Sequence, residues 1–149
     1  MFENYDQLTE IPAMTAQQVF DRVATHLFTQ GRRATLGLAG GCRYRTPDGL
    51  KCAVGCMIPD ALYLPEMDKN AKDSNLGLSA EELIEEFSEM EPLRPHMDLL
   101  MDLQSVHDGY PSWDNAESVL RKRIKKVAGE FGLDASILAG LKFTQIETA

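Results

Sequence analysis

No stretch of this sequence approaches the roughly 18 consecutive apolar residues that a membrane-spanning helix requires. Its opening, Met-Phe-Glu-Asn-Tyr-Asp, has neither the basic patch nor the apolar run of a secretory leader. The expectation is a protein that is neither secreted nor inserted in a membrane and that works in the cytoplasm. Cysteine is scarce and odd in number. Cys42, Cys52 and Cys56 lie in one short segment, which suits a reducing compartment better than a disulfide framework. Internal repeats and low-complexity tracts are lacking, which argues against a repeat architecture. Positive charge is also in deficit: Lys and Arg number 15 against 23 Asp and Glu, for a net charge of −8.

That deficit is uneven. Residues 1–57 carry five acids and six bases, residues 58–117 fifteen acids and three bases, and residues 118–149 three acids and six bases. An acidic middle argues against nucleic-acid binding through bulk charge, because neutralising phosphates needs a positive surface. It permits docking on a basic partner. With 149 residues the chain is long enough to bury roughly two-thirds of its unfolded surface in one core. A single domain over 1–149 is expected, with loosely held ends at 1–14 and 142–149.

Helical signals dominate. Thr15-Ala16-Gln17-Gln18 is a capping box opening a helix to about Gln30, stopped by Gly31, with Val19, Phe20, Val23, Ala24, Leu27 and Phe28 on one face. A second capping box, Ser79-Ala80-Glu81-Glu82, opens a helix carrying Leu83, Ile84, Phe87 and Met90 and ending by Pro92. A third helix runs from about Pro95 to Gly109, and a fourth from about Trp113, capped by Ser112, to Phe131. A short helical turn capped by Asp134 follows. Between the first two helices lie a glycine-rich stretch, Thr35 to Gly41, and then two short arms flanking Pro47-Asp48-Gly49, which read as a β-hairpin. The predicted fold is α+β and mainly helical: four or five helices around one core with a single short β-hairpin.

The densest run of unusual residues is Cys42-x-Tyr44-Arg45-x-x-x-Gly49-x-Lys51-Cys52-Ala53-Val54-Gly55-Cys56-x-Ile58-Pro59-Asp60. With Leu103-Gln104-x-x-His107-Asp108, and Trp113 before a final amphipathic helix ending Phe131-Gly132-Leu133, it resembles a group of small uncharacterised proteins of bacteriophage and bacterial genomes. The resemblance covers residues 16–133. It implies no activity and no cofactor, only a context: small phage-type accessory factors act on components of the host.

Three readings of the cysteines compete. Zinc would need Cys42, Cys52 and Cys56 joined by His96 or His107, but the spacing is wrong for paired ligands, and no metal is expected. A nucleophilic Cys52, beside Lys51, would take His107 as base and Asp108 as its orienting carboxylate. An even-numbered hairpin turn would place Arg43 and Arg45 on the face of Cys52, and an odd one opposite. In the third and favoured reading the cysteines are small buried apolar residues in a tightly packed run. His107-Asp108 alone does not make a metal phosphohydrolase, since the chain offers only His26 and His96 besides. Trp113 reads as a core anchor.

The functional expectation is a non-enzymatic, acidic, phage-type accessory protein with no cofactor. It would bind a host protein in the host cytoplasm through the acidic segment 60–91, with Glu81, Glu82, Glu85 and Glu86 as contact residues. The alternative is a binder of a small phosphorylated molecule or nucleotide through two basic groups: Arg22, Arg32, Arg33, Arg43, Arg45 and Lys51, and then Arg121, Lys122, Arg123, Lys125 and Lys126. Of these, Arg43, Arg45 and Lys51 would contact phosphate. The blander and favoured reading pairs these bases with the acidic middle segment. A cysteine enzyme using Cys52 is the second alternative.

Overall fold

The computed structural model describes residues 11–35, 43–68, 79–109 and 112–144. Cys42, the glycine-rich stretch at 36–41, residues 69–77 of the acidic stretch and the Tyr110-Pro111 loop lie outside the described residues. Among those described are four α-helices: α1 (Ala16–Gln30), α2 (Ala80–Glu86), α3 (Met97–Asp108) and α4 (Glu117–Glu130). Short 3-10 turns complete them at Ile11–Ala13, Gly55–Met57, Pro65–Asp68, Ser88–His96 and Ser136–Gly140.

Helix α1 forms as its sequence dictates. The Thr15 hydroxyl accepts the Gln18 N–H, the Gln18 side chain accepts the Thr15 N–H, and all six residues of the predicted apolar face are buried. Gly31 ends it in the left-handed region at φ 75°. No other residue fits there, because a Cβ would fall 1.7 Å from the Thr144 carbonyl oxygen. The Thr144 N–H donates to the Phe28 carbonyl and the Phe143 ring meets Phe28 edge-on. Residues 142–144, the described part of the tail, thus lie on α1. Helix α1 sits centrally, touching α3, α4 and the turns at 55–57 and 136–140.

Two helices start or stop away from their predicted bounds. The capping box at Ser79 and Glu82 forms, but α2 ends at Glu86. A helix continued through Pro92 would lose a bond and drive the ring into the carbonyl of Ser88. The chain instead leaves the helix at Phe87 and proceeds as a nine-residue 3-10 segment containing Pro92 and Pro95. Helix α4 begins at Glu117 rather than Trp113, because Asn115 takes a left-handed φ of 58° that no helix accommodates. The Ser112 hydroxyl accepts the Asp114 N–H within that turn instead of capping the helix. Trp113 is fully buried and donates its indole N–H to the His107 carbonyl.

The expected β-hairpin is absent among the described residues, so the α+β assignment is corrected to a mainly helical fold. All that remains is one isolated antiparallel bridge between Arg45 and Lys51. The ladder would next use the Tyr44 N–H, and Asp68 captures it, while the backbone N–H groups of Arg45 and Lys51 point away from the opposite arm at this bridge and are met by side chains. Asp68 accepts the N–H groups of Tyr44 and Arg45 at 2.6 and 3.2 Å. Gln30 accepts the Lys51 N–H at 2.7 Å, while Gln30 and His26 both donate to the Lys51 carbonyl at 2.8 Å. A satisfied backbone group has no drive to extend a sheet.

Candidate functional site

The turn between Arg45 and Lys51 has five residues, 46–50, an odd number. Arg45 and Lys51 therefore share one face, and Cys52 points to the other. On the first face Asp60 gathers both bases: its carboxylate lies 2.7 Å from the Arg45 guanidinium and 3.3 Å from the Lys51 ammonium. Lys51 first, and Arg45 next, hold the Asp60 carboxyl below the usual carboxylate range. Arg45 also donates to the Ile58 carbonyl at 2.6 Å and lies over the Tyr63 ring at 4.9 Å. Tyr63 donates its hydroxyl to Asp68. Arg43 is buried, and its N–H donates to the Ala34 carbonyl.

Two of the three proposed phosphate contacts are thus brought together, but around a carboxylate of the same chain. The rest of that basic group is treated alike: Arg32 pairs with Asp48 at 3.3 Å and Arg33 with Asp114 at 3.4 Å.

On the opposite face Cys52 is sealed. It is 1% exposed, its sulfur accepts the Gly55 N–H at 3.3 Å, and burial pushes its thiol well up from the ordinary value. Burial likewise raises the Cys56 thiol, to about 12, while its S–H donates to the Ala53 carbonyl at 3.0 Å. The small residues between them serve close packing, since a Cβ on Gly55 would sit 2.1 Å from the Tyr44 carbonyl oxygen. Val54 is tied down by donating its N–H to the Gln104 side chain at 3.0 Å.

His107 does not serve Cys52. Its ring is fully buried, and the Ala34 N–H donates to Nε2 at 2.9 Å, so the ring proton lies on Nδ1, 2.7 Å from Asp108. Both ring nitrogens are engaged in holding the loop after α1 to the end of α3. His107 also meets Trp113 edge-on, and His96 bonds to the Ile11 carbonyl at 2.8 Å. Among the described residues no three His, Cys, Asp or Glu side chains converge as a metal site.

The acidic candidates have the opposite character. Glu81, Glu82, Glu85 and Glu86 are all exposed on α2. Glu82 closes the capping box by accepting the Ser79 N–H at 3.0 Å. Glu81, Glu85 and Glu86 have no ion-pair partner among the described residues. Sequence reasoning missed Asp68 and Gln30, and expected the bases to pair with the acidic middle segment without naming Asp60. Only Asp60 carried a signal, as the last residue of the unusual run.

Comparisons with known protein families, curated proteins and solved structures find no match.

Proposed function

We propose that the protein is a non-enzymatic binding module whose acidic α2 face docks on a basic surface of another protein. The observation that carries this reading is a contrast in partnering. Arg45 and Lys51 meet a carboxylate of the same chain and the Cys52 thiol is buried. Glu81, Glu85 and Glu86 stand exposed, with no ion-pair partner among the described residues. A one-sign surface of this kind speeds encounter with an oppositely charged partner and rejects like-charged ones. The resemblance at residues 42–60 to phage-type proteins makes a host protein the partner proposed.

The test leaves Glu82 in place, because it closes the cap. Immobilised wild-type protein and a Glu81→Lys/Glu85→Lys/Glu86→Lys variant are exposed in parallel to bacterial lysate, and bound proteins are quantified by mass spectrometry. The wild type is expected to retain a defined basic protein at about 0.1 M salt and release it near 0.5 M, as screening shortens. The variant, with unchanged circular dichroism, is expected not to retain it. Equal retention by both overturns the reading.

A further inference from the structure

The outward face of α4 is basic, and the rest of the chain leaves it so. Ser118, Lys122, Lys125 and Gly129 are all exposed and recur at intervals of four, three and four, which sets them on one line along the helix, opposite the buried Leu120, Ile124 and Val127. Lys122 and Lys125 have no ion-pair partner among the described residues. The acids of α4 lie off this line. Glu117 pairs with Arg121 at 3.7 Å, and Glu130 stands one turn from Lys126, whose charge it offsets. What the line presents is two lysines one turn apart with small residues at either end, and a Cβ on Gly129 would meet nothing within 4 Å.

Helix α2 carries the complement. Glu81 and Glu85 are exposed, one turn apart, and without an ion-pair partner among the described residues. Both α2 and α4 pack on α3, yet Lys122 and Lys125 make no ion pair with these glutamates within the chain. Like charges one turn apart repel, so each face is stabilised by an opposite pair brought against it. The spans agree. A separation of four residues for the glutamates and three for the lysines is about 6 Å and about 4.5 Å of helical rise.

We infer that the α4 line docks on the α2 face of a second copy of this chain, Lys122 and Lys125 against Glu81 and Glu85. The contact joins unlike faces, so association is head-to-tail and each added copy again offers one face of each sign. A long polyanion fits worse, because Glu117 and Glu130 flank the two lysines and interrupt any continuous positive track for a row of phosphates. The net charge of −8 opposes association, but at 0.15 M salt that repulsion is screened within about 8 Å, whereas the facing pairs are in contact. Exposed ion pairs contribute little singly, so a dissociation constant of about 0.1–1 mM is expected. The inference rests on the α2 face of the proposed function and adds that self-association competes for it.

Sedimentation equilibrium of the full chain between about 0.02 and 2 mM brackets that constant. The mean mass of the wild type is expected to rise with concentration at about 0.1 M salt and to fall back to the monomer near 0.5 M. Lys122→Glu/Lys125→Glu and Glu81→Lys/Glu85→Lys should each stay monomeric, while an equimolar mixture, in which each reversed face finds an opposite one, should associate again. Circular dichroism reports the folding of each variant, and Lys122→Gln/Lys125→Gln, a milder change, should weaken association about tenfold. A wild type that stays monomeric throughout, self-association that persists in either folded variant, or a mixture of folded variants that stays monomeric overturns the proposal. The lysine variant keeps the α2 face and is expected to retain the host protein from lysate, so either reading can fail alone.

Discussion

At the scale of single residues, the run Cys52 to Cys56 is governed by space. Cys52 is fully enclosed with its thiol pushed up by burial, while Gly55 passes against the Tyr44 carbonyl where no larger residue fits. A thiol so placed is neither ionised nor reachable near neutral pH. Native protein treated with iodoacetamide should therefore leave Cys52 unmodified until urea unfolds the chain, after which it should react at the rate of a free thiol. Peptide mapping of the alkylated sites reads the outcome. Rapid native labelling of Cys52 would reopen a nucleophilic role, although His107 would still lack a free nitrogen to act as its base.

At the scale of elements, the segment 43–68 shows how a predicted hairpin becomes an irregular loop. Its turn is real, with Thr46 accepting the Leu50 N–H and Gly49 at φ 89°. The arms do not pair further because Asp68 takes the Tyr44 N–H that the next rung would use. Asp68→Ala should leave two backbone donors and the Tyr63 hydroxyl without their acceptor and destabilise the fold by about 2–3 kcal/mol, measured by urea unfolding. If Asp68→Ala matches the wild type in stability, the loop is not held by this carboxylate. The exposed pairs elsewhere, such as Glu91 with Arg94, contribute far less because water screens them.

At the scale of the whole molecule, α1 couples the loop to the helices, and its His26 makes that coupling sensitive to pH. Burial lowers the His26 pKa from 6.5, outweighing the opposing hydrogen bond to the Lys51 carbonyl, with a smaller contribution in the same direction from the Lys51 charge. The folded value lies below the unfolded one, so on acidification the unfolded chain takes up the proton first. The contribution of His26 is complete above the unfolded pKa and declines as pH falls from about 6.5 toward the folded value. Asp48, Asp60 and Glu91 have lowered pKa values too, but their contributions fade only in the carboxylate range. Urea midpoints at about pH 7.5 and pH 5 should fall for the wild type and fall less for His26→Gln, which keeps a donor for Lys51 but no titrating group. An identical fall in both proteins would remove His26 from the account.

The sequence by itself determined the helices whose signals are local. The capping boxes at Thr15 and Ser79 and the apolar face of α1 rest on contacts within a few residues, and they appear where the sequence places them. The early end of α2 and the late start of α4 were less legible, since they depend on Phe87 and Asn115 taking backbone angles that neither residue dictates. Only the tertiary structure decided the fate of the unusual run at 43–60. Whether Tyr44 extends a ladder depends on a competing acceptor at Asp68, distant along the chain. Whether Arg45 and Lys51 offer charge to a ligand depends on Asp60 folding back onto them. The partnering of His107 with Ala34, 73 residues away, is of the same kind. Local pattern encodes periodicity and caps; long-range hydrogen bonds and ion pairs exist only once the core has brought their partners together.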